Sequence, residues 1–350
     1  MENKYVWPTN PESYELLGEV GSGAFARVYK AICKENNEIV AVKILNLEAS
    51  NSNFEDIRRE VSAMKSCDHP NILPLYCCFN AFRELWIVTP YMDKGSFLRI
   101  IMHLKNHRMI AQHEGLAETY VAIILKEVAK GLAYLHDHGI IHRDIKAGNI
   151  LINKDCHIYL GDLGVARALE GPGGRRNKAQ TYVGTPCWMA PEVLLKETYE
   201  YPVDVWSLGI TALELYKSYP PYAKLDSIVI LQHLTNPDKP APGFDDYPRD
   251  TNQKPSNDFK KFLSLCLVKD PSKRADVSQL LTCNFLANAP DVSELHTLID
   301  SIPEMKQNTE FKPLPKTVDV KFAPGTTWDF TTETTDDTPI DFSAIGNDEA

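Results

Sequence analysis

The sequence predicts an α+β protein of two lobes, in which a small antiparallel sheet with one helix precedes a larger, mostly helical part. Residues 14–92 contain short apolar runs that predict five strands, and one segment, residues 54–66, in which apolar residues recur at helical spacing and predict a helix. Beyond residue 96 helical spacing dominates. The length of 350 residues exceeds one average domain, which is consistent with two lobes and an extension.

The first two predicted strands flank a loop that contains glycines. Tyr14–Val20 and Tyr29–Cys33 have strand composition, and residues 21–24 between them read Gly-Ser-Gly-Ala. Because glycine has no Cβ, such a hairpin backbone can lie close over phosphate groups and direct its N–H groups toward them. Such loops also occur in dinucleotide-binding folds and in ordinary turns, so this one alone does not identify a function.

The third strand carries a lysine with a candidate partner on the predicted helix. Val40–Ile44 is apolar except for Lys43, and Glu60 follows that lysine by seventeen residues. A strand lysine that pairs with a helix glutamate holds its amine against the phosphates of a nucleotide. The alternative is an ordinary surface ion pair, which would contribute ~0–1 kcal/mol.

Turn-forming residues separate the two predicted lobes. Glu84–Thr89 is the last predicted strand of the first lobe, and residues 90–95 connect it to the second. In the second lobe we predict helices at residues 117–138, 203–216, 257–268 and 292–302, and a loop at residues 236–255.

The residues that carry chemistry lie in the second lobe, after the predicted helix at 117–138. Residues 142–149 read His-Arg-Asp-Ile-Lys-Ala-Gly-Asn, and Asp162 follows Asn149 by thirteen residues. Phosphoryl transfer needs a carboxylate to accept a hydroxyl proton, a cation for a phosphate and oxygen ligands for divalent metal ions. Asp144, Lys146, Asn149 and Asp162 supply those groups. A turn or capping role is the alternative for Asp144 considered alone.

Composition and charge exclude several classes of protein. Apolar residues make up 43% of the chain and charged residues 24%, which is typical of globular proteins. No apolar run approaches the roughly 18 residues needed to cross a bilayer. The N-terminus lacks the apolar core of a secretory signal, so we expect a cytoplasmic protein with no membrane partner. The eight cysteines are scattered without a C-x-x-C pair, which favours free thiols over structural zinc.

The net charge of −10 is concentrated near the C-terminus. Residues 287–350 contain 13 Asp or Glu and 4 Lys, so the preceding 286 residues are close to neutral. No basic stripe indicates a nucleic-acid partner. We therefore predict an N-terminal extension, residues 1–13, and an acidic C-terminal extension, residues 287–350. The acidic extension is either solvated or docked on the body.

These motifs, in this order and followed by Ala190-Pro191-Glu192, resemble a eukaryotic protein kinase over about residues 14–285. The resemblance implies a kinase domain at residues 14–286, with an N-lobe (14–89), a hinge (90–95) and a C-lobe (96–286). It implies ATP and Mg²⁺ as cofactors, Asp144 and Lys146 as catalytic residues, and Asn149 and Asp162 as metal ligands. The nucleotide-binding residues that it implies are Gly21, Ser22, Gly23, Ala24, Val28, Ala41, Lys43, Glu60, Thr89, Pro90, Met92, Asn149, Leu151 and Asp162.

Two departures from the kinase pattern affect these expectations. Ala26 replaces the third loop glycine, so we expect a stiffer loop, and Leu163 replaces the commoner Phe, which leaves the inactive-state geometry open. Val28 and Ala41 fit strand core as well as an adenine pocket. Structural roles are implied for Asp204, which would brace the backbone at His142-Arg143, and for a buried Glu192–Arg274 pair.

The resemblance also implies a regulated activation loop. Thr181 matches the activating phosphosite, with Arg143 placed to receive the phosphate, although the loop's basic residues are also compatible with a solvated loop. Thr185 matches the residue that contacts Asp144 and Lys146 in kinases that act on Ser or Thr. We therefore expect protein substrates with Ser or Thr, and the resemblance leaves room for an upstream activating kinase and a homodimer.

Local sequence indicates which group of protein kinases the chain resembles. Residues 146–149, Lys-Ala-Gly-Asn, are similar to the sterile-20 group, and residues 184–192 resemble its Fray branch, SPAK and the oxidative-stress-responsive kinase. We expect no counterpart of the C-terminal docking domain of the animal members in residues 287–350. We expect a role in a stress or signalling cascade.

Two other functions compete with this hypothesis. A pseudokinase scaffold, similar to the STRAD proteins, would bind and activate a partner, but Lys43, Asp144, Asn149 and Asp162 are intact. A small-molecule kinase would not need the complete segment 184–192, which shapes a peptide-binding ledge.

Overall fold

The computed structural model describes residues 5–22, 26–47, 61–62, 64–111, 113–162, 186–248 and 254–303. Several predictions concern residues outside these ranges, namely Gly23, Ala24, Glu60, Leu163, Thr181 and Thr185.

The N-terminal lobe is built on a five-stranded antiparallel sheet. Its strands lie in the order β1-β2-β3-β5-β4, and every neighbouring pair is antiparallel. They span β1 Tyr14–Ser22, β2 Ala26–Cys33, β3 Ile39–Asn46, β4 Cys77–Ala81 and β5 Glu84–Pro90. The prediction of five strands is confirmed. Of the predicted helix at residues 54–66, only residues 61–62 and 64–66 are described, and they are helical.

Side-chain alternation along β3 gives the sheet two different faces. Val40, Val42 and Ile44 are buried in an apolar cluster on one face, because successive side chains of a strand point to opposite sides. Ala41 and Lys43 lie on the other face and remain partly exposed. The strand therefore buries Val40, Val42 and Ile44 and presents the lysine on the opposite side.

A small three-stranded sheet, two strands of which form a hairpin, joins the connection between the lobes to the second lobe. Its strands are β6 Gly95–Ser96, β7 Ile150–Ile152 and β8 Ile158–Leu160, which form an antiparallel three-stranded sheet. Gly95 pairs with Ile152 and Ser96 with Leu151. The turn after β5 is thereby held against the segment that follows the 142–149 motif.

The C-terminal lobe is helical, as predicted. The predicted helices at 117–138, 203–216 and 257–268 are present with bounds that differ by at most two residues. The described helices are α1 Phe97–Asn106, α2 Glu118–Asp137, α3 Pro191–Leu195, α4 Pro202–Lys217, α5 Ser227–Thr235, α6 Asn257–Cys266, α7 Val277–Thr282, α8 Asn284–Ala287 and α9 His296–Ile299.

Helix α4 is buried on nearly all sides. Every residue from Val203 to Lys217 is buried, which is the pattern of a helix at the centre of a domain rather than on its surface. Asp204 and Glu214 are therefore carboxylates in the interior, and each requires hydrogen-bond donors.

Two loop-level predictions need correction. The predicted loop at 236–255 contains a 3-10 turn at Phe244–Asp246. The predicted helix at 292–302 is instead a 3-10 turn at Val292–Leu295 followed by α9. A 3-10 turn places residues three apart on the same side, so the break still lets Leu295 and Leu298 be buried together.

Among the described residues, no helix combines the length and apolar character required to cross a membrane.

Candidate active site

Asp204 holds the backbone at the start of the 142–149 motif. Its carboxylate, fully buried on α4, accepts hydrogen bonds from the backbone N–H of His142 at 2.8 Å and of Arg143 at 2.7 Å. His136 Nε2 lies 2.9 Å from Oδ2 of the same carboxylate. Arg143 has φ 68°, a left-handed conformation that is costly for a residue with a Cβ. The interior carboxylate stabilises this turn, as the sequence predicts.

His142 connects the motif to the segment before Asp162. Its Nε2 lies 3.0 Å from Gly161 O and its Nδ1 lies 3.2 Å from Asp144 N. Since a carbonyl only accepts and a backbone N–H only donates, both contacts require the neutral tautomer with hydrogen on Nε2. Complete burial lowers the pKa of His142, which favours the same neutral form.

Asp144, Lys146 and Asn149 form one polar cluster. Lys146 Nζ donates to Asp144 Oδ2 at 2.7 Å, and Asn149 Nδ2 donates to the same oxygen at 2.7 Å and to Asp144 O at 2.8 Å. A cation and an amide on one side of the carboxylate fix its orientation. Gly161 N then donates to Asn149 O at 2.9 Å, which links this cluster to Asp162.

Lys43 reaches Asp162 across the two lobes. Lys43 Nζ forms an ion pair with Asp162 Oδ1, although the residues are 119 positions apart in the sequence. The predicted partner, Glu60, lies outside the described residues. The strand lysine, the Asp144 cluster and Asp162 therefore belong to one connected site.

The register of the N-terminal sheet places the other predicted residues over this site. Val28 pairs with both Gly21 and Lys43, and Ala41 pairs with Thr89. Directly paired residues in an antiparallel sheet share a face, so these side chains lie on the same side as Lys43.

The remaining predicted residues flank this row of strand partners. Ser22 ends β1 and Pro90 ends β5. Thr89 and Met92 are buried, and Leu151 lies on β7 beside Ser96. Three of the positions expected to contact adenine, Thr89, Pro90 and Met92, thus lie at or just after the end of β5.

The side-chain oxygen atoms of Asn149 and Asp162 suit a hard divalent cation as ligands. Asn149 uses its amide nitrogen for both hydrogen bonds to Asp144, and no described group donates to its Oδ1. Mg²⁺ is usually held by one or two protein oxygen ligands, with water and substrate phosphates completing the octahedron. Within the described residues no group of three or more His, Cys, Asp or Glu could hold a metal alone. Asn149 and Asp162 fit an ion that arrives with a nucleotide.

Sequence reasoning missed Glu214, which joins the 142–149 motif to the segment after residue 185. Its Oε2 accepts hydrogen bonds from Ala147 N at 2.9 Å and from Trp188 Nε1 at 3.0 Å. Burial raises the pKa of the Glu214 carboxyl to about 7, although both donors and Lys146 act in the opposite direction. The available signal was an acidic residue inside an otherwise apolar helical run.

The predicted Glu192–Arg274 pair is present and buried. Arg274 Nη1 lies 2.7 Å from Glu192 Oε1, Nη2 lies 3.1 Å from Oε2, and Nε donates to Val268 O at 2.9 Å. The bidentate geometry satisfies both carboxylate oxygens. It anchors the start of α3, just after the segment that Glu214 holds.

Arg143 has donor capacity that the described residues do not use. Its Nε is buried and no described group accepts from it, and its guanidinium lies 5.8 Å from the centre of the Tyr199 ring. A buried guanidinium donor without an acceptor is costly. The site therefore suits an anion, and the segment with Thr181 that was predicted to supply one lies outside the described residues.

Comparison with known proteins gives the family. The sequence model of the protein kinase domain matches residues 14–286. The chain belongs to the protein kinase family. The match covers the N-terminal sheet, the 142–149 motif and the helical lobe, so the predicted bilobal kinase fold is confirmed.

Two relatives agree with the predicted group. Germinal center kinase 3 of Caenorhabditis elegans is 40% identical over 303 residues, which cover 85% of this chain and 51% of that protein. Serine/threonine-protein kinase fray2 of Dictyostelium discoideum is 40% identical over 296 residues, which cover 83% of this chain and 27% of that protein. These relatives support placement among Fray-like kinases of the sterile-20 group. The chain spans about half the length of the first and about a quarter of the second.

Proposed function

We propose that this chain transfers the γ-phosphate of ATP to serine and threonine hydroxyls of proteins. The supporting observation is the connected set of contacts that runs from Asp144 through Lys146 and Asn149 to Asp162, and from Asp162 to Lys43. Phosphoryl transfer depends on positioning and charge stabilisation, and this set supplies both.

Each residue of the set has a distinct task. Asp144 accepts the proton of the substrate hydroxyl, and Lys146, which already lies against it, neutralises charge on the transferred phosphoryl group. Lys43 holds the α- and β-phosphates once nucleotide draws it from Asp162. Asn149 and Asp162 would hold Mg²⁺, which would offset the negative charge of the nucleotide phosphates.

Regulation by phosphate on Thr181 is part of the proposal. The support is the unused, buried Nε of Arg143 beside Tyr199. Two added negative charges near this guanidinium would satisfy the donor and fix the 142–144 turn. An upstream kinase is the expected source, and we place the reaction in the cytoplasm, in a stress or signalling cascade.

Transfer of labelled γ-phosphate to a generic protein substrate tests the proposal. We expect the wild type to label serine and threonine, and Asp144→Asn to be slower by about 10²- to 10⁴-fold, the usual contribution of a general base. Asp238→Asn, at an exposed position after α5, is the matched control and should retain full activity. Equal rates for wild type and Asp144→Asn would contradict catalysis and favour the scaffold alternative.

A further inference from the structure

The described chain continues beyond the matched kinase domain and returns to the hinge. Ile302 O accepts a hydrogen bond from Lys94 Nζ at 2.5 Å, and Pro303 O accepts one from Arg99 Nη2 at 3.4 Å. These bonds join residues 208 and 204 positions apart. We call residues 291–303 the C-terminal tether.

The tether follows a fixed path over the C-terminal lobe. Asp291 Oδ1 accepts a hydrogen bond from Ser293 N at 3.0 Å and so starts the first turn. Four aliphatic side chains then bury themselves in the main apolar core, namely Leu295, Leu298, Ile299 and Ile302. The burial of this apolar surface in the core holds the tether in place up to its contact with Lys94.

The two basic residues connect the tether to the hinge backbone. Arg99 Nη1 donates to Lys94 O at 2.9 Å, and Arg99 N donates to the Ser96 side chain at 3.3 Å. Gly95 N donates to Met92 O at 3.0 Å, which closes the turn that contains Lys94. The tether carbonyls therefore act on the same turn that carries Met92, a predicted adenine contact.

The hairpin under the nucleotide site is bonded to the hinge. Lys154 N in the β7–β8 turn donates to Asp93 Oδ1 at 2.7 Å. Cys156 in the same turn is buried, and burial raises the pKa of its thiol to about 11; the charge of Asp300 in the tether acts in the same direction and that of Lys94 in the opposite one. The hairpin is thus hydrogen-bonded to the hinge, and the hinge to the tether.

We propose that the C-terminal tether positions the hinge for nucleotide binding, with Lys94 and Arg99 as positioning residues. They act through the hinge backbone. This inference rests on the proposed function in one respect, that nucleotide binds at the hinge. Hydrogen bonds from charged donors are stronger than neutral ones, so the short Lys94–Ile302 bond, with the longer Arg99–Pro303 bond beside it, restrains the conformation of the turn. The affinity for Mg-ATP therefore depends on residues outside the matched domain.

Nucleotide binding by full-length variants tests the inference. We expect Lys94→Met with Arg99→Met, which keeps much of the apolar stems, to raise the Kd for a fluorescent ATP analogue with Mg²⁺ by about three- to tenfold. The kcat at saturating ATP should stay within about twofold, because the Asp144 cluster is untouched. Lys260→Met with Lys261→Met removes two exposed positive charges from α6 and should leave the Kd unchanged.

A second pair of variants separates positioning from general stability. Ile302→Ala and Ile230→Ala each create a cavity at a buried position, one in the tether and one in α5, and both should lower the melting temperature. Only Ile302→Ala should weaken nucleotide binding.

Three results decide the matter. If the double variant Lys94→Met with Arg99→Met and the variant Ile302→Ala both bind nucleotide like the wild type, the tether only completes the core and the inference is wrong. It is equally wrong if Ile230→Ala weakens binding as much as Ile302→Ala. A wild type that binds Mg-ATP but transfers no phosphate would refute the proposed function alone, because the tether is judged by the Kd.

Discussion

Replacing Asp204 by asparagine removes one charge from the interior and tests how the 142–144 turn is held. The carboxylate has three donors around it, the N–H groups of His142 and Arg143 and the Nε2 of His136, at 2.7 to 2.9 Å. Asparagine keeps one acceptor oxygen and places an NH₂ group where the second oxygen accepted. At least one buried donor then faces another donor.

The cost follows from the burial of Asp204. One charge-assisted hydrogen bond is lost, at ~1.5–3 kcal/mol, and one buried donor is left unsatisfied, at ~1–3 kcal/mol. Asp204 is 0% exposed, so solvent does not screen this loss. A total of about 2.5–6 kcal/mol corresponds to a fall in Tm of roughly 5–12 °C for a domain of this size. Because Arg143 holds a strained φ and precedes Asp144, we also expect kcat/KM to fall by about 10²-fold.

Thermal denaturation and kcat/KM for a protein substrate measure the two effects. Asp226→Asn is the matched control, since Asp226 is exposed and its side chain makes no capping hydrogen bond. Two outcomes oppose the reasoning: a Tm within about 1 °C of the wild type, or a large fall in Tm with unchanged kcat/KM. The second would show that the turn keeps its conformation without the carboxylate.

Three further predictions concern other buried or charged groups. The folded pKa of Glu214 is about 7, above its ordinary 4.5, so the stability it contributes is complete below pH 4.5 and is lost as pH rises to about 7. Glu214→Gln, whose single oxygen can accept both donors, should remove a pH dependence on the order of 3 kcal/mol in urea titrations; an unchanged slope would contradict the shifted pKa. Arg274→Met should destabilise by about 3–5 kcal/mol, and adding Glu192→Gln should recover part of that loss; additive losses in the double-mutant cycle would argue against the pair. Thr181→Ala should abolish the gain in activity that follows incubation with ATP, and a rate gain equal to that of the wild type would reject the phosphosite.

Local patterns explain why much of the fold was predictable. Alternation along β3 identifies a strand with two different faces, and helical spacing identifies α2 and α4 without knowledge of their neighbours. The motif at residues 142–149 places three interacting side chains within six positions, so their contact is nearly guaranteed once the turn forms. The Lys43–Asp162 contact was predictable only through resemblance, because 119 residues separate its members.

Contacts that depend on tertiary packing could not be predicted from the sequence. Glu214 receives donors from Ala147 and Trp188, 67 and 26 residues away, and no periodicity encodes that arrangement. The tether shows the same limit, since the bond between Lys94 and Ile302 requires the whole C-terminal lobe to be in place. The division of residues 292–302 into a 3-10 turn, which buries Leu295, and α9, which buries Leu298 and Ile299, was not predicted either, because helical spacing does not distinguish the two kinds of turn over so short a segment.

Calorimetric titration with ATP, in the presence and absence of Mg²⁺, is the most direct test of the claim that these groups meet at one nucleotide site. We expect Mg²⁺ to tighten ATP binding to the wild type by roughly tenfold or more, and Asp162→Asn to lose that gain. Without Mg²⁺, Asp162→Asn should bind ATP at least as well as the wild type, because a negative charge near the phosphates is gone. Full Mg²⁺ dependence in Asp162→Asn would contradict the assignment of Asp162 as a metal ligand and, with it, the site as described.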